Sequence, residues 1–277
     1  MTIIMPIIYA VAVLAIIAIV CAIVLTLSSI FFGVKEDERA LAVRDCLPGA
    51  NCGACGFSGC DGYAKALAEG KTTNPSLCIP GGDGVAAEIG EIMVLAAGDV
   101  VEKVAYVACN GSCLPTERKY VYDGIKTCVN ANMLYSGDRD CTFACLGYGD
   151  CLKVCPRNAI TISKEKGIAE IDPRKCIGCG LCAKACPNHI IHLINDTSRV
   201  VVKCSSHDKG AQVRKVCSNG CIGCMKCEKN CPESAIKVID NLATIDYDKC
   251  TGCGKCHEVC PVKCIQLGNF ICGSHFE

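Results

Sequence analysis

Tryptophan is absent from this 277-residue chain, and aromatic residues make up only 5% of it. Folded cores are ordinarily built from large apolar side chains, so something else must fill the centres of these modules. Neither sign of charge is in excess. The 28 basic and 28 acidic residues cancel, so nothing in the charge balance points to a nucleic-acid partner. No G-x-G-x-x-G follows a strand pattern, so no dinucleotide site is visible. The five histidines show no ligand spacing and read as surface or core residues. Charge is missing altogether from Ile3 to Phe32.

About 20 apolar residues span a bilayer, so Ile3 to Phe32 is long enough to cross one with tilt to spare. It also explains a mean hydropathy of +0.34. A signal peptide would have a shorter apolar region, a leading Lys or Arg and a small-residue cleavage site, and none of these is present. Lys35, Arg39 and Arg44 follow at once. Positive flanks stay inside, so the N-terminus is expected to face out and the rest to lie on the cytoplasmic side of the cell (inner) membrane. Cys21, within the span, reads as a small apolar residue.

What the chain has in abundance is cysteine, 29 residues. That level characterises disulfide scaffolds in short secreted chains. The spacing says otherwise. Cys176, Cys179, Cys182 and Cys186 form a C-x2-C-x2-C-x3-C run followed by Pro187; Cys221, Cys224, Cys227 and Cys231 repeat it before Pro232, and Cys250, Cys253, Cys256 and Cys260 before Pro261. Triplets two residues apart aim at one centre and are poorly placed to bridge to separate partners. Structural zinc uses pairs rather than triplets with a trailing Cys-Pro. The run is the bacterial ferredoxin spacing, in which three thiolates hold one 4Fe–4S cluster and the fourth serves the neighbouring cluster. Such thiolates need a reducing compartment, which again places them in the cytosol.

Four half-modules emerge on aligning the prolines: CPRNAITI from 155, CPNHIIHL from 186, CPESAIKV from 231 and CPVKCIQL from 260. Each predicts a turn and a short strand, with further strands at 168–176 and 242–250. The halves form tandem two-cluster pairs. Expected ligand sets are Cys221, Cys224, Cys227 and Cys260; Cys250, Cys253, Cys256 and Cys231; and Cys176, Cys179, Cys182 and Cys155. The remaining half departs from the pattern. Cys145, Cys151 and Cys155 match Cys221, Cys227 and Cys231, but Tyr148 stands where Cys224 stands. Cys141, matching Cys217, is expected to join Cys145, Cys151 and Cys186; the alternatives are an unusual ligand or a three-iron centre.

A different module precedes these. Cys52-x2-Cys55-x4-Cys60-x17-Cys78 is glycine-rich, and glycine lets backbone wrap closely around a compact inorganic centre. Gly62 to Glu69 reads as a helix, and Asn74-Pro75 as the turn that returns Cys78. Cys46 reads as a packing thiol. Beyond it, Val85 to Ala97 shows helical spacing and Val100 to Ala108 alternates like a strand. Five clusters are expected. A sixth is possible from Cys109, Cys113, Cys128 and one of Cys204 or Cys217; Cys264 and Cys272 read as structural.

The order of these motifs, from the apolar segment through LPGANCGACGFSGC with Cys78, CNGSC, CLGYGDC and the ferredoxin runs, resembles the B subunit of the Rnf membrane electron-transport complexes in its long, cluster-rich form. The resemblance covers essentially the whole chain. It implies 4Fe–4S cofactors throughout, soluble ferredoxin as electron donor, and partner subunits that pass electrons to NAD while moving Na+ or H+. The expected class is α+β: a transmembrane anchor (1–34), a four-cysteine cluster domain (35–84), a connector (85–135) and two ferredoxin-like pairs (136–200 and 201–277). A cluster subunit of another membrane redox complex, such as a hydrogenase, is the alternative. The first module also resembles one in corrinoid methyl-transfer proteins, but residues 85–277 leave no room for a cobalamin domain.

Overall fold

The computed structural model describes residues 4–32, 37–96, 98–111 and 117–268; within its first helix, side chains are described at Tyr9 and from Val13 to Ser28. Cys113 and Cys272 lie outside the described residues.

One short turn, used four times, sets the architecture. The N–H groups of Asn158, His189, Ser234 and Lys263 donate to the carbonyls of Cys155, Cys186, Cys231 and Cys260 at 3.1–3.4 Å. Those four residues share a left-handed backbone, with φ of 49°, 51°, 50° and 50°. Proline in the Cys-Pro step presets the turn. A strand follows each one: β2 (Ile160–Ile162), β4 (Ile191–Asn195), β6 (Ile236–Ile239) and β8 (Ile265–Leu267).

Strands β3 (Ala169–Ile171) and β7 (Leu242–Ile245) close antiparallel hairpins with β2 and β6. The other two sheets join distant segments. Strand β1 (Lys103–Val107) pairs antiparallel with β4, and β5 (Val200–Val202) with β8. Each unit thus has a hairpin in the middle and its first strand paired with its last. Residues expected to form a connector, Lys103–Val107, are the first strand of unit one. Both faces of β1 are buried. Ala105 and Val107 face the cysteine-rich core of unit one, while Val104 and Tyr106 pack against Ile194 and Val201 at the seam with unit two. This is the period-two alternation of a strand between two layers.

Four longer helices precede the units: α1 (Ile4–Phe32), α2 (Glu38–Cys46), α3 (Cys60–Ala68) and α4 (Gly82–Met93). Asp37 caps α2 by accepting from Arg39 N at 3.0 Å. Val43, Tyr63, Leu67 and Ile89 join α2, α3 and α4 in one small core. Short helices follow at α5 (Cys128–Asn132), α6 (Asp150–Lys153), α7 (Leu181–Ala185), α8 (Gly210–Val216), α9 (Lys226–Lys229) and α10 (Lys255–Glu258). The described side chains of α1 are exposed. The continuous stretch of α1 whose side chains are described, Val13 to Ser28, is shorter than the ~20 residues that span a bilayer, and among the described residues no helix is long and apolar enough to cross a membrane.

Candidate iron-sulfur centres

In the first module, Asn51 Oδ1 accepts from Cys60 N at 2.8 Å, fixing the start of α3. Tyr63 donates its hydroxyl to Asn74 O at 2.8 Å, which holds the turn that returns Cys78. Cys78 then lies among Cys52, Cys55 and Cys60. Burial pushes the Cys78 thiol up to about 11, and the three neighbouring thiols add to the rise.

The ferredoxin runs are brought together by the same crossed logic in both units. Cys155, Cys176, Cys179 and Cys182 line a void of about 350 Å³. Cys231, Cys250, Cys253 and Cys256 line one of about 360 Å³. In unit two, Cys221 lies beside Cys260, and Cys227 beside Cys221 and Cys224. Backbone amides aim at the sulfurs: Ala105 N at Cys176 Sγ (3.4 Å), Ala159 N at Cys155 Sγ (3.3 Å) and Ala169 N at Cys145 Sγ (3.4 Å). Such hydrogen bonds are among the influences that set a cluster's potential. Burial pushes the Cys182 thiol up to about 12 and Cys256 to about 11. Bare thiolates are disfavoured there, and a bound metal centre supplies the positive charge that stabilises them.

The cysteines of the irregular half-module group differently from the expectation. Cys145, Cys151 and Cys186 line a void of about 390 Å³, and the fourth cysteine on its wall is Cys128, not Cys141. Cys141 faces a separate void with Cys109, Cys204 and Cys217. The reason lies in an insertion. Cys109 and Cys141 are 32 positions apart, whereas Cys204 and Cys217 are 13 apart, so unit one carries 19 extra residues. They deliver α5, whose first residue is Cys128. Thr127 caps that helix through Asn130 N (3.2 Å), and Asp150 Oδ2 anchors it by accepting from Val129 N (3.0 Å). Tyr148 turns to other work. Its hydroxyl donates to the buried Asp138 carboxylate at 2.8 Å, beside the Arg118–Asp138 ion pair.

The spare thiols differ in setting. Cys46 Sγ donates to Ala42 O at 3.3 Å within α2. Cys264 is buried with its sulfur 3.7 Å from Cys260 Sγ. Its hydrogen bonding holds Cys221 and Cys260 below the usual thiol range. Every described cysteine is free of a disulfide. Among the described residues, no three His, Cys, Asp or Glu side chains gather closely enough for a single metal ion, a compactness that a four-iron cube does not require. The first module touches unit one through Lys184 Nζ, which donates to Cys52 O at 3.0 Å.

Known families match along the chain: "Putative Fe-S cluster" over residues 47–80, and 4Fe-4S dicluster domains over 140–190, 211–267 and 175–236. Tandem ferredoxin-like domains and 4Fe–4S clusters follow from these matches. Three curated relatives are B subunits of ion-translocating complexes. That of the Na(+)-translocating ferredoxin:NAD(+) oxidoreductase complex of Acetobacterium woodii is 42% identical over 86% of this chain and 71% of that protein. That of the proton-translocating ferredoxin:NAD(+) oxidoreductase complex of Clostridium ljungdahlii is 42% identical over 84% and 82%. That of the ion-translocating oxidoreductase complex of Methanosarcina acetivorans is 39% identical over 93% and 97%. This chain belongs to the B-subunit family of the ion-translocating ferredoxin:NAD oxidoreductase (Rnf) complexes.

Proposed function

We propose that this chain is the membrane-anchored electron-transfer subunit of a ferredoxin:NAD oxidoreductase complex, taking electrons from reduced ferredoxin and relaying them to partner subunits. The observation that carries the reading is the convergence of four cysteines, from segments far apart in sequence, on each of several voids of 350–390 Å³. Five ligand sets are assigned: Cys52, Cys55, Cys60 and Cys78; Cys155, Cys176, Cys179 and Cys182; Cys128, Cys145, Cys151 and Cys186; Cys221, Cys224, Cys227 and Cys260; and Cys231, Cys250, Cys253 and Cys256. A 4Fe–4S cluster bound there supplies reversible exchange of one electron. The chain's own residues hold the thiolates, bury them and aim amide N–H groups at them.

The relatives named for Na(+) and for proton translocation are equally identical to this chain, at 42%. We assign the choice of ion to partner subunits. Anaerobically purified protein is expected to hold about 20 or more iron atoms with matching acid-labile sulfide, four per cluster. About eight, or zinc in place of iron, would overturn the reading.

The anchor is proposed to be α1, with residues 35–277 on the cytoplasmic side. Its support is the uncharged sequence from Ile3 to Phe32 and the exposed apolar side chains described along α1, such as Leu14 and Leu25. An apolar surface of that length is left for lipid or a partner to cover. Protease added to intact cells should leave residues 35–277 whole, and cleavage from outside would reverse the topology.

A further inference from the structure

We infer that Cys109, Cys141, Cys204 and Cys217 bind one further 4Fe–4S cluster at the seam between the two ferredoxin units, joining their clusters into a single unbranched line. The inference rests on the electron-carrier reading above.

Repeat symmetry is the first argument. Ala108 N donates to Ile190 O, and Lys203 N donates to Cys264 O, both at 2.7 Å. Val107 pairs with Ile191 in β4, and Val202 pairs with Ile265 in β8. The strand registers therefore superpose Cys109 on Cys204. Cys141 and Cys217 each stand four positions before the first cysteine of their run, Cys145 and Cys221. Each unit thus contributes one equivalent pair of thiols to the same place. Neither pair is complete without the other.

The second argument is space. These four cysteines line one pocket at the seam, as four cysteines line the pocket at each of the Cys155 and Cys231 sets. Cys109, Cys141 and Cys217 are buried. The seam around them is built rather than incidental: Ser205 of unit two donates to Ala108 O at 2.9 Å, Asn219 Nδ2 donates to Asn110 O at 3.1 Å, and Phe143 meets His207 edge to face. Amides also point at the sulfurs as they do elsewhere. Cys221 N aims at Cys204 Sγ at 3.2 Å and Cys145 N at Cys109 Sγ at 3.5 Å.

Those last two contacts give the site its role. Cys145 and Cys221 are ligands of the adjoining sets in units one and two, so the site lies between the two and touches both. The run of sites is then the Cys52 set, the Cys179 set, the Cys151 set, the seam, the Cys221 set and the Cys256 set. Each electron passes along it as a one-electron oxidation of one member coupled to reduction of the next, with no bond made or broken.

Iron content of the full chain decides the matter. The wild type should hold about 24 iron atoms per chain, and the Cys204→Ser, Cys217→Ser double variant about 20 with the remaining cluster signals in paramagnetic resonance retained. In that variant, clusters of one unit should still reduce on mixing with reduced ferredoxin while those of the other lag well behind. A wild-type count of about 20, unchanged in the double variant, would overturn the inference and leave the five-cluster reading standing. A wild-type count of about eight would instead overturn the electron-carrier reading itself. If the double variant fails to fold, the wild-type count alone still separates 24 from 20.

Discussion

At the scale of single residues, one substitution in the repeat explains the most irregular part of the chain. Tyr148 occupies the place of a cysteine ligand and is held by Asp138 and Arg118 instead. Cys128, carried on the inserted α5, reaches the site in its stead. Cys128→Ser should therefore cost about four iron atoms per chain, one cluster's worth. Adding Tyr148→Cys restores the repeat's own ligand and should return most of that iron. Failure of the second change to recover any iron would mean that the loop around Tyr148 no longer follows its copy at Cys224. Cys141→Ser, by contrast, should leave the Cys145 set loaded, because Cys141 faces the seam.

Elements in this chain are short, and their loops carry the strain. The position after the second cysteine of each run, or after Tyr148 in its place, is left-handed: Gly149, Gly180 and Gly254 have φ of 84°, 73° and 76°, and Met225 takes φ of 57°. A side chain in that conformation costs about 1–2 kcal/mol, against about 0.5–1 kcal/mol of extra chain entropy for glycine. Met225 is 46% exposed, so little burial is at stake. Met225→Gly should stabilise unit two by about 0.5–1 kcal/mol and slow cluster loss in urea by up to about fivefold. Faster bleaching of the clusters would contradict it. A neighbouring glycine has a different reason to be there. A Cβ at Gly178 would run into the carbonyl oxygen of Lys103, so this loop packs directly on β1.

At the scale of the molecule, direction is set by the ends of the line. The Cys52 module follows the proposed anchor, and the set of Cys231, Cys250, Cys253 and Cys256 is the last in the inferred line of sites. We propose that ferredoxin docks on the units and that electrons leave through the Cys52 centre, whose neighbour across the interface is Cys179. Cys55→Ala should leave the clusters of the units reducible by ferredoxin while transfer to the rest of the complex falls to background. Loss of reduction at every cluster in a folded variant would place the point of entry at the membrane end.

Much of this was legible in the sequence because cluster ligation is local. Three thiolates two residues apart must share a centre, a Cys-Pro step must turn, and the repeat of that unit specifies tandem pairs. The uncharged run from Ile3 to Phe32 likewise declares its own chemistry. Spacing was silent where ligands come from segments that are distant in sequence and alike in type. A lone cysteine carries no address, so Cys128 and Cys141 exchanged places between expectation and structure. Pairing of β1 with β4 and of β5 with β8 gives Cys109 and Cys204 equivalent places, because strand register decides which face a residue meets, and contact between the units across Ala108 and Ser205 brings them to one seam. The strand expected over Val100 to Ala108 is there as β1, and its pairing with β4 makes it part of unit one rather than of a connector. Ligand type was a property of the sequence, and the company each ligand keeps was a property of the tertiary fold.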